Sequence, residues 1–350
     1  MPRKASWQGP GLAAIAAEAE VSTSTVDRVM NGRPNVSARS REAVFSACAR
    51  LGIAVPGVPK IDAPVAQRLL LRRVLLLSDA GETLNERLAS AVGTFNRRAQ
   101  HLRIDAELQK TSDFNAKTFA KRIVEAAGDY DGILLNSRDD PFVRRAINAA
   151  QSKDVPVVCI TTDIPQSNRA AYVGMNQFSA GAMAAYLMGR FSKVYEGSVI
   201  LVASAPYVCQ EQRESGFRRV LRAEFPGFHI VESIHSLDDP DSAYANMRRV
   251  LQAVPAPIGV YNTAGGNTGI ARAISDAGLS GKTIFIGHEG SESSIRLLET
   301  GQMEAVLTHD IDGEIERSSA IIAALCDAQT PDERHLKTRR PEILTRYTTE

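Results

Sequence analysis

The chain has 350 residues, more than the roughly 250–300 at which single cores stop growing, so two or three compact units are expected. With 44% hydrophobic and 23% charged residues, its composition is that of a globular protein and excludes long disorder. The net charge of +1 conceals an asymmetry: residues 1–73 carry 11 Lys/Arg against 5 Asp/Glu, whereas residues 74–350 carry 30 against 35. A basic head on a mildly acidic body points to a polyanionic partner for the head alone.

The first twenty residues include Glu18 and Glu20 and no continuous apolar core, so no secretory leader is expected. Residues 12–19 (LAAIAAEA) place apolar residues at helical spacing. VSTSTVDRVMN then restarts a helix, with Ser22 as its N-cap. RPNVSARSREAVFSACARLGI supplies a third helix, capped by Ser37, with Val44, Phe45, Ala47, Cys48 and Leu51 on its apolar side and Gly52 as terminator. Three short helices joined by turns of a few residues form a helix-turn-helix pattern.

Pro56, Pro59 and Pro64 then mark a linker. Beyond it, short apolar runs alternate with helical segments: RRVLLLSD, DGILLNS and VPVVCITTD, then, from about residue 197, GSVILVAS, PIGVYNT and KTIFIGHE. Near-continuous apolar strands between amphipathic helices imply parallel sheets covered on both faces, and two successive sets imply two lobes. The expected domains are therefore 1–55 (helix-turn-helix), 56–73 (linker or hinge) and 74–350 (two lobes, ligand binding and dimerisation). The longest apolar run is cut by Arg72 and Arg73 and cannot span a bilayer. Cys48, Cys159, Cys209 and Cys326 are scattered with no C-x-x-C pair, so they read as buried reduced thiols, with no metal site and no disulfide framework. The expected location is the cytoplasm.

In doubly wound sheets a ligand sits beyond the carboxyl ends of the strands. That rule selects Asp79, Asn136, Ser137, Asp163, Asn262, His288 and Glu289. Each alone also reads as a cap for the following helix; as a set drawn from both lobes they read as the lining of one cleft.

At residues 21–32 the chain shows the core V-S-x-x-T-V-x-R-V-x-N-G, carried by Val21, Ser22, Thr25, Val26, Arg28, Val29, Asn31 and Gly32. This stretch resembles the DNA-binding headpiece of the LacI/GalR family of bacterial transcription regulators. YVGMNQFSAGAMAAYLMGRF, EQRESGFRRVL, GVYNTAGGNTGIARAISDAG and IFIGHEGSESSIRLLETGQMEAVLTHD are similar to the family's periplasmic-binding-protein-like sensor, in a branch built for sugars or similar polyols. The likeness covers nearly the whole chain. It implies an all-α helix-turn-helix headpiece followed by an α/β two-lobed domain with two doubly wound parallel sheets.

The resemblance also assigns roles. Thr23 and Ser24 begin the helix that presents base-reading side chains to the major groove, and Arg28 lies one turn later on the same face for guanine or phosphate. Ser22, Thr25, Asn31 and Ser37 are candidates for phosphate contacts. Val21, Val26 and Val29 pack against Ile15 and Ala16. Asp27 would repel phosphate, so it pairs with Lys4, Arg28 or a neighbouring Arg, or reads a cytosine amine. Glu20 occupies a turn position where Gly is common, at a cost on the order of 1 kcal/mol if left-handed. APVAQRLLLRR is the place for a minor-groove hinge helix, with Leu69 or Leu70 as wedge and Arg68 on phosphate, although the Asn- and Ala-rich hinge signature is missing. For the effector the resemblance implies Asp163, Arg213, Asn262, Glu289 and His309, with Asn85, Asn136 and Asp139 as further candidates from the first lobe. The usual aromatic pair after the first strand is absent from SDAGETLNERL, leaving room for a polar or acidic effector. His288 and His309 read either as partners for an acidic group or as core and capping residues.

Three other motifs fail on spacing. AGGNTG lacks G-x-G-x-x-G and an acidic ribose partner, so Gly265, Gly266 and Gly269 read as close backbone approach beside the ligand. GLSGKT has Asp276 where a P-loop needs its first Gly, and GHEGSES lacks H-E-x-x-H. No nucleophile, base or paired-carboxylate assembly is visible, so no catalysis and no cofactor are expected. The expected function is a sequence-specific regulator, a repressor, working on double-stranded operator DNA as a homodimer or tetramer, with no membrane partner. Its effector would be a sugar, cyclitol or sugar acid. The alternatives are a solute-binding protein without DNA binding and an enzyme on the two-lobed fold. The basic head generates one prediction: log operator affinity falls linearly with log salt by about 0.9 per phosphate neutralised, giving a dimer with three or more contacts per head a slope steeper than about −5. A nearly flat response would reduce the basic balance to solubility.

Overall fold

The computed structural model describes residues 11–31, 33, 36–51, 53, 71–236 and 238–348. It divides into two compact units, residues 1–71 and 72–350.

In the first unit, α1 (Leu12–Glu18), α2 (Thr23–Met30) and α3 (Ala38–Arg50) follow the apolar spacing of the sequence. Ser22 caps α2 by accepting from the Thr25 amide at 3.2 Å, and Ser37 does the same for α3 from Ser40 at 3.0 Å. Glu20 is left-handed (φ 52°), so this turn takes the strained conformation without a glycine. Ile15, Ala16, Val26, Val29, Met30, Val44, Ala47 and Cys48 form the core, with Val21 packed against it. Phe45 and Leu51, expected on the apolar side of α3, are instead 36% and 41% exposed. Val44, Ala47 and Cys48 already fill the inward stripe at i, i+3 and i+4, and Phe45 stands one position round the helix.

The second unit contains two sheets. β1 (Arg72–Ser78), β2 (Leu102–Leu108), β3 (Gly132–Asn136), β4 (Val157–Ile160) and β5 (Ala171–Val173) form the first lobe in the order β2-β1-β3-β4-β5, all parallel. β6 (Gly197–Ala203), β7 (Phe228–His235), β8 (Gly259–Asn262), β9 (Ile284–His288), β10 (Ala305–Thr308) and β11 (Glu342–Leu344) form the second in the order β11-β10-β9-β8-β6-β7. The expectation of purely parallel sheets needs one correction, because β11 runs antiparallel to β10 at the edge. Arg72 and Arg73 belong to β1, so the hinge stretch gives up its last two residues to the sheet. Arg68, Leu69 and Leu70 lie outside the described residues, as do Lys4 and Gly32.

Adjacent residues of β1 enter opposite cores, as a sheet covered on both faces requires. Leu75 and Leu77 pack with Phe119, Ile123, Val143 and Ile147, whereas Val74 and Leu76 pack with Leu88, Val92, Ile315 and Ile322. Ile315 and Ile322 sit on the helix Ile311–Cys326, which follows the strands of the second lobe in sequence but covers the first. The chain therefore passes between lobes three times, near residues 174–176, 309–310 and 337–341. The first and third passages lie side by side: the Arg339 amide donates to the Gly174 carbonyl at 3.0 Å, and the Asn176 amide to the Arg339 carbonyl at 2.8 Å.

Helix-to-helix contact in the second lobe depends on two glycines. The helices Gln177–Phe191 and Val208–Glu224 approach so closely that a Cβ at Gly181 would stand 1.7 Å from the Arg213 carbonyl oxygen, and one at Gly216 2.0 Å from that of Phe178. Gly181→Ala should therefore force these helices apart and destabilise the unit by roughly 1–3 kcal/mol, read from thermal or denaturant unfolding. An unchanged midpoint would mean the two helices have slack that this packing denies.

Candidate functional site

In the head, Ser24, Thr25, Arg28, Val36, Ser37 and Ser40 line a polar groove of about 240 Å³ between α2 and α3. Thr23, Ser24 and Arg28 are exposed, and Arg28 makes no ion pair among the described residues. Ser22 is held locally, its Oγ 2.9 Å from both Ser24 Oγ and Thr25 Oγ1. Asp27 resolves its electrostatic conflict through Arg33, 2.9 Å away, and by accepting from Asn31 Nδ2 at 2.8 Å. Asn31 also donates to the Asp27 carbonyl, so its amide serves the end of α2.

Between the lobes lies a cavity of about 40 Å³, room for a few waters. Three of the eight expected effector residues line it: Asn136, Arg213 and Glu289. Arg213, 2% exposed, donates Nε to Gln177 Oε1 at 2.8 Å and Nη1 to the Thr263 carbonyl at 2.7 Å. Its Nη2 and the Nδ2 of Asn136 are buried donors without a partner among the described residues. A buried donor left unmade costs about 1–3 kcal/mol, and these two belong to residues that line the cavity.

The other five do not line the cavity. Asp163 forms a two-pronged ion pair with Arg169 and accepts from the Ile164 amide at 2.7 Å. Asp139 pairs in the same way with Arg144. Asn85 accepts from Ser78 Oγ and donates to the Ala80 and Gln109 carbonyls, locking the loop after β1. Asn262 folds the AGG turn by bonding Ala264, Gly265 and Asn267. His309 lies behind the wall, bonded to Glu314. Gly265 does border the cavity, but Gly269 packs against the Pro240 carbonyl, a helix-packing role.

The remaining wall includes Gly81, Thr83, Thr161, Tyr207, Cys209, Gln210 and Asp238, none singled out as a ligand group from sequence. Tyr207 supplies the aromatic surface missing after β1, and supplies it from the opposite lobe. Its hydroxyl lies 2.7 Å from the Asp79 carbonyl oxygen and 3.1 Å from Asp79 Oδ1. Burial pushes the Asp79 carboxyl up to about 7, against the pull of Arg138 and Tyr207. Thr111 of the first lobe likewise donates to Asp238 of the second at 3.3 Å. A Cβ on Gly81 would come within 2.2 Å of Asp238 Cβ, so the lobes meet here with nothing to spare.

Backbone strain converges on the same wall. Thr161 (φ 60°), Asp238 (φ 56°) and Glu289 (φ 70°) are all left-handed without being glycine. Such residues cost on the order of 1–3 kcal/mol each and gather where a site demands them; a β-branched threonine is the most unusual of the three. Electrostatics concentrate there too. Burial alone would raise the Glu289 carboxyl, but His309, Arg87 and Arg213 hold it well below the usual carboxylate range. Burial opposes the charged ring of His309, but Glu314 and Glu289 outweigh it and push the pKa up to about 9.

A proton held more tightly by the folded than the unfolded ring stabilises fully below about 6.5 and progressively less as pH rises through about 9. Thermal melts of His309→Gln should thus lose less stability across that window than the wild type. Equal slopes would remove His309 as the titrating group.

Residues 12–53 match the bacterial regulatory proteins of the lacI family, and residues 88–330 match the periplasmic binding protein domain, neither a catalytic family. Among curated proteins, the chain is 24% identical over 208 residues to the ABC transporter periplasmic-binding protein YphF of Escherichia coli (strain K12), a match covering 56% of this chain and 62% of YphF. Among solved structures, the glucose-galactose binding protein GanP of Geobacillus stearothermophilus superposes with a TM-score of 0.70 at 21% identity, over 79% of this chain and 98% of that one. A transporter solute-binding protein from Burkholderia graminis, in complex with D-arabinose, superposes with a TM-score of 0.72 at 18% identity, over 80% and 96%. Among the described residues no helix is long and apolar enough to cross a membrane. The chain belongs to the periplasmic binding protein domain family, and with its lacI-type helix-turn-helix it is a member of the LacI/GalR group of regulators.

Proposed function

We propose that the chain is a sequence-specific DNA-binding transcriptional repressor, acting in the cytoplasm as a homodimer or tetramer. Its operator affinity is set by a small polar effector held between the two lobes. The observation that carries this reading is the pairing of an exposed Ser/Thr/Arg28 face in a basic head with a strained, donor-lined cavity in the same chain. Arg28 would read a guanine or hold a phosphate, while Ser24, Thr25, Ser37 and Ser40 offer hydroxyls to the backbone.

For the effector, the wall combines orphaned donors (Arg213 Nη2, Asn136 Nδ2), carboxylates (Glu289, Asp238) and one aromatic ring (Tyr207), a set that suits a polyhydroxylated sugar, cyclitol or sugar acid. With room for only a few waters, the cavity as it stands does not hold a monosaccharide, so binding calls for the lobes to part and close again. That movement would pass through the crossing segments towards residue 72 and the linker. The change in operator affinity cannot exceed the effector's preference for one lobe arrangement over the other.

A solute-binding protein is the second reading, favoured by the nature of YphF and the structural neighbours. The head argues against it, and one experiment separates the two: anisotropy titration of native promoter fragments, with and without D-galactose, D-arabinose, D-allose and their acids. The repressor reading predicts tight, salt-dependent binding released by one of these compounds. Arg28→Ala should cost about 1–3 kcal/mol of operator affinity and leave effector binding intact. Arg213→Ala should do the reverse, weakening the effector by about 1–3 kcal/mol, whereas Asp163→Ala should leave effector affinity unchanged because its carboxylate is committed to Arg169. Failure of the full chain to bind any promoter fragment would favour the solute-binding reading.

A further inference from the structure

Behind the cavity wall, where the chain recrosses to the first lobe, His309 and Glu314 form a buried pair that does not line the cavity but contacts two residues that do. His309, next to the crossing, holds Nδ1 2.7 Å from Oε1 of Glu314. Glu314 is the fourth residue of the helix Ile311–Cys326 and is 1% exposed. Its second oxygen accepts from Thr161 Oγ1 at 3.0 Å. On its other edge, His309 turns an unpartnered Nε2 towards Glu289 Oε1, 3.8 Å away. Glu289 Oε2 accepts in turn from Arg87 Nη1 at 2.9 Å, and Arg87 Nη2 donates to the His309 carbonyl at 3.2 Å. Thr161 and Glu289 are wall residues from opposite lobes, and both carry left-handed backbones.

The geometry points to Glu314 and His309 as a positioning pair that braces Thr161 and Glu289 and, through Glu289 and Arg87, holds the lobes closed over the cavity. Its regulatory meaning rests on the reading of this cavity as the effector site. The four groups alternate in sign: Arg87 positive, Glu289 negative, His309 positive, Glu314 negative. Buried charges persist only when each has its counter-charge. Removing the charge of Glu314 takes away the carboxylate that keeps the His309 ring protonated. Glu289 then faces a neutral ring and keeps Arg87 as its nearest cation, and the lobe-to-lobe contact loses its support from behind. None of these contacts belongs to the apolar cores, so the consequence falls first on closure, and each lobe keeps its folded core even where overall stability declines.

Two free thiols read these events separately. Cys209 lies in the cavity wall at the start of the helix Val208–Glu224, whereas Cys159 is fully buried on β4 in the core of the first lobe. Lobe opening exposes Cys209 alone; general loss of stability exposes both. The experiment is alkylation of the full chain by iodoacetamide, without effector or DNA, with the rate at each cysteine followed by mass spectrometry. Glu314→Gln and His309→Gln should each raise the Cys209 rate at least about threefold and leave Cys159 unchanged. The double variant should add little to the stronger single one, because the two residues act as a unit. Unchanged Cys209 rates would overturn the proposal. So would a parallel rise at Cys209 and Cys159, which would make the pair a general stabiliser of the fold. Since no DNA or sugar is present, the result stands apart from success or failure of the operator titration.

Discussion

Four side chains of alternating charge, Arg87, Glu289, His309 and Glu314, meet where the chain passes between the lobes, and the proposed hold on lobe closure depends on their balance. Removing charge from water is expensive, and leaving one buried charge without its partner typically costs about 3–5 kcal/mol. Each lobe has its own pair of apolar cores on either side of a mostly parallel sheet, and Tyr207 with Asp79 and Thr111 with Asp238 add polar contacts between them. The sheets bring strand ends to a common boundary, and the charge cluster lies at that boundary. Left-handed Thr161 and Glu289 are tied into this cluster, so strain in the wall and electrostatics at the crossing are parts of one arrangement.

The architecture was legible in the sequence because its signals are local and redundant. β1, β3, β4, β6, β8 and β9 are buried on both faces and read as apolar runs. β2 is an edge strand, and LRIDAEL alternates in polarity; it escaped notice for that reason, as did β7 at the edge of the second sheet. In the head, Ser22, Glu20 and the Val26/Val29 stripe could be read directly, because caps, turns and helical spacing are properties of neighbouring residues.

The cavity was harder. The strand-end rule finds the neighbourhood but cannot tell which polar residue will be claimed by a neighbour. Asp163 and Asp139 are each taken by an arginine five or six residues further on. Thr161, two residues before Asp163, is the true strand-end position and reaches the wall. Tyr207 follows β6 by the same logic and was within reach of the rule. Asp238 follows β7, a strand absent from the sequence reading, so its role had no starting point. Arg213, expected from the resemblance around EQRESGF, lies in the cavity wall, and the close packing at Gly181 and Gly216 fixes the helix that carries it.

The head and the sensor solve different problems with the same chemistry. In the head, hydroxyls and Arg28 stand in solvent, where the proposed DNA would meet them; in the cavity, Arg213 and Asn136 are buried with bonds unmade, which the proposed effector would complete. The central claim is that a small ligand acts by settling between the lobes and fixing their arrangement, which the crossing segments carry onward. Hydrogen–deuterium exchange on the full chain tests it most directly, with and without the compound that calorimetry identifies as binding. The account predicts protection at the wall, around residues 79–84, 161–163, 207–213 and 288–290, together with the crossings at 174–176 and 309–310. Protection confined to other surfaces, with the wall and crossings unchanged while the compound is bound, would contradict it.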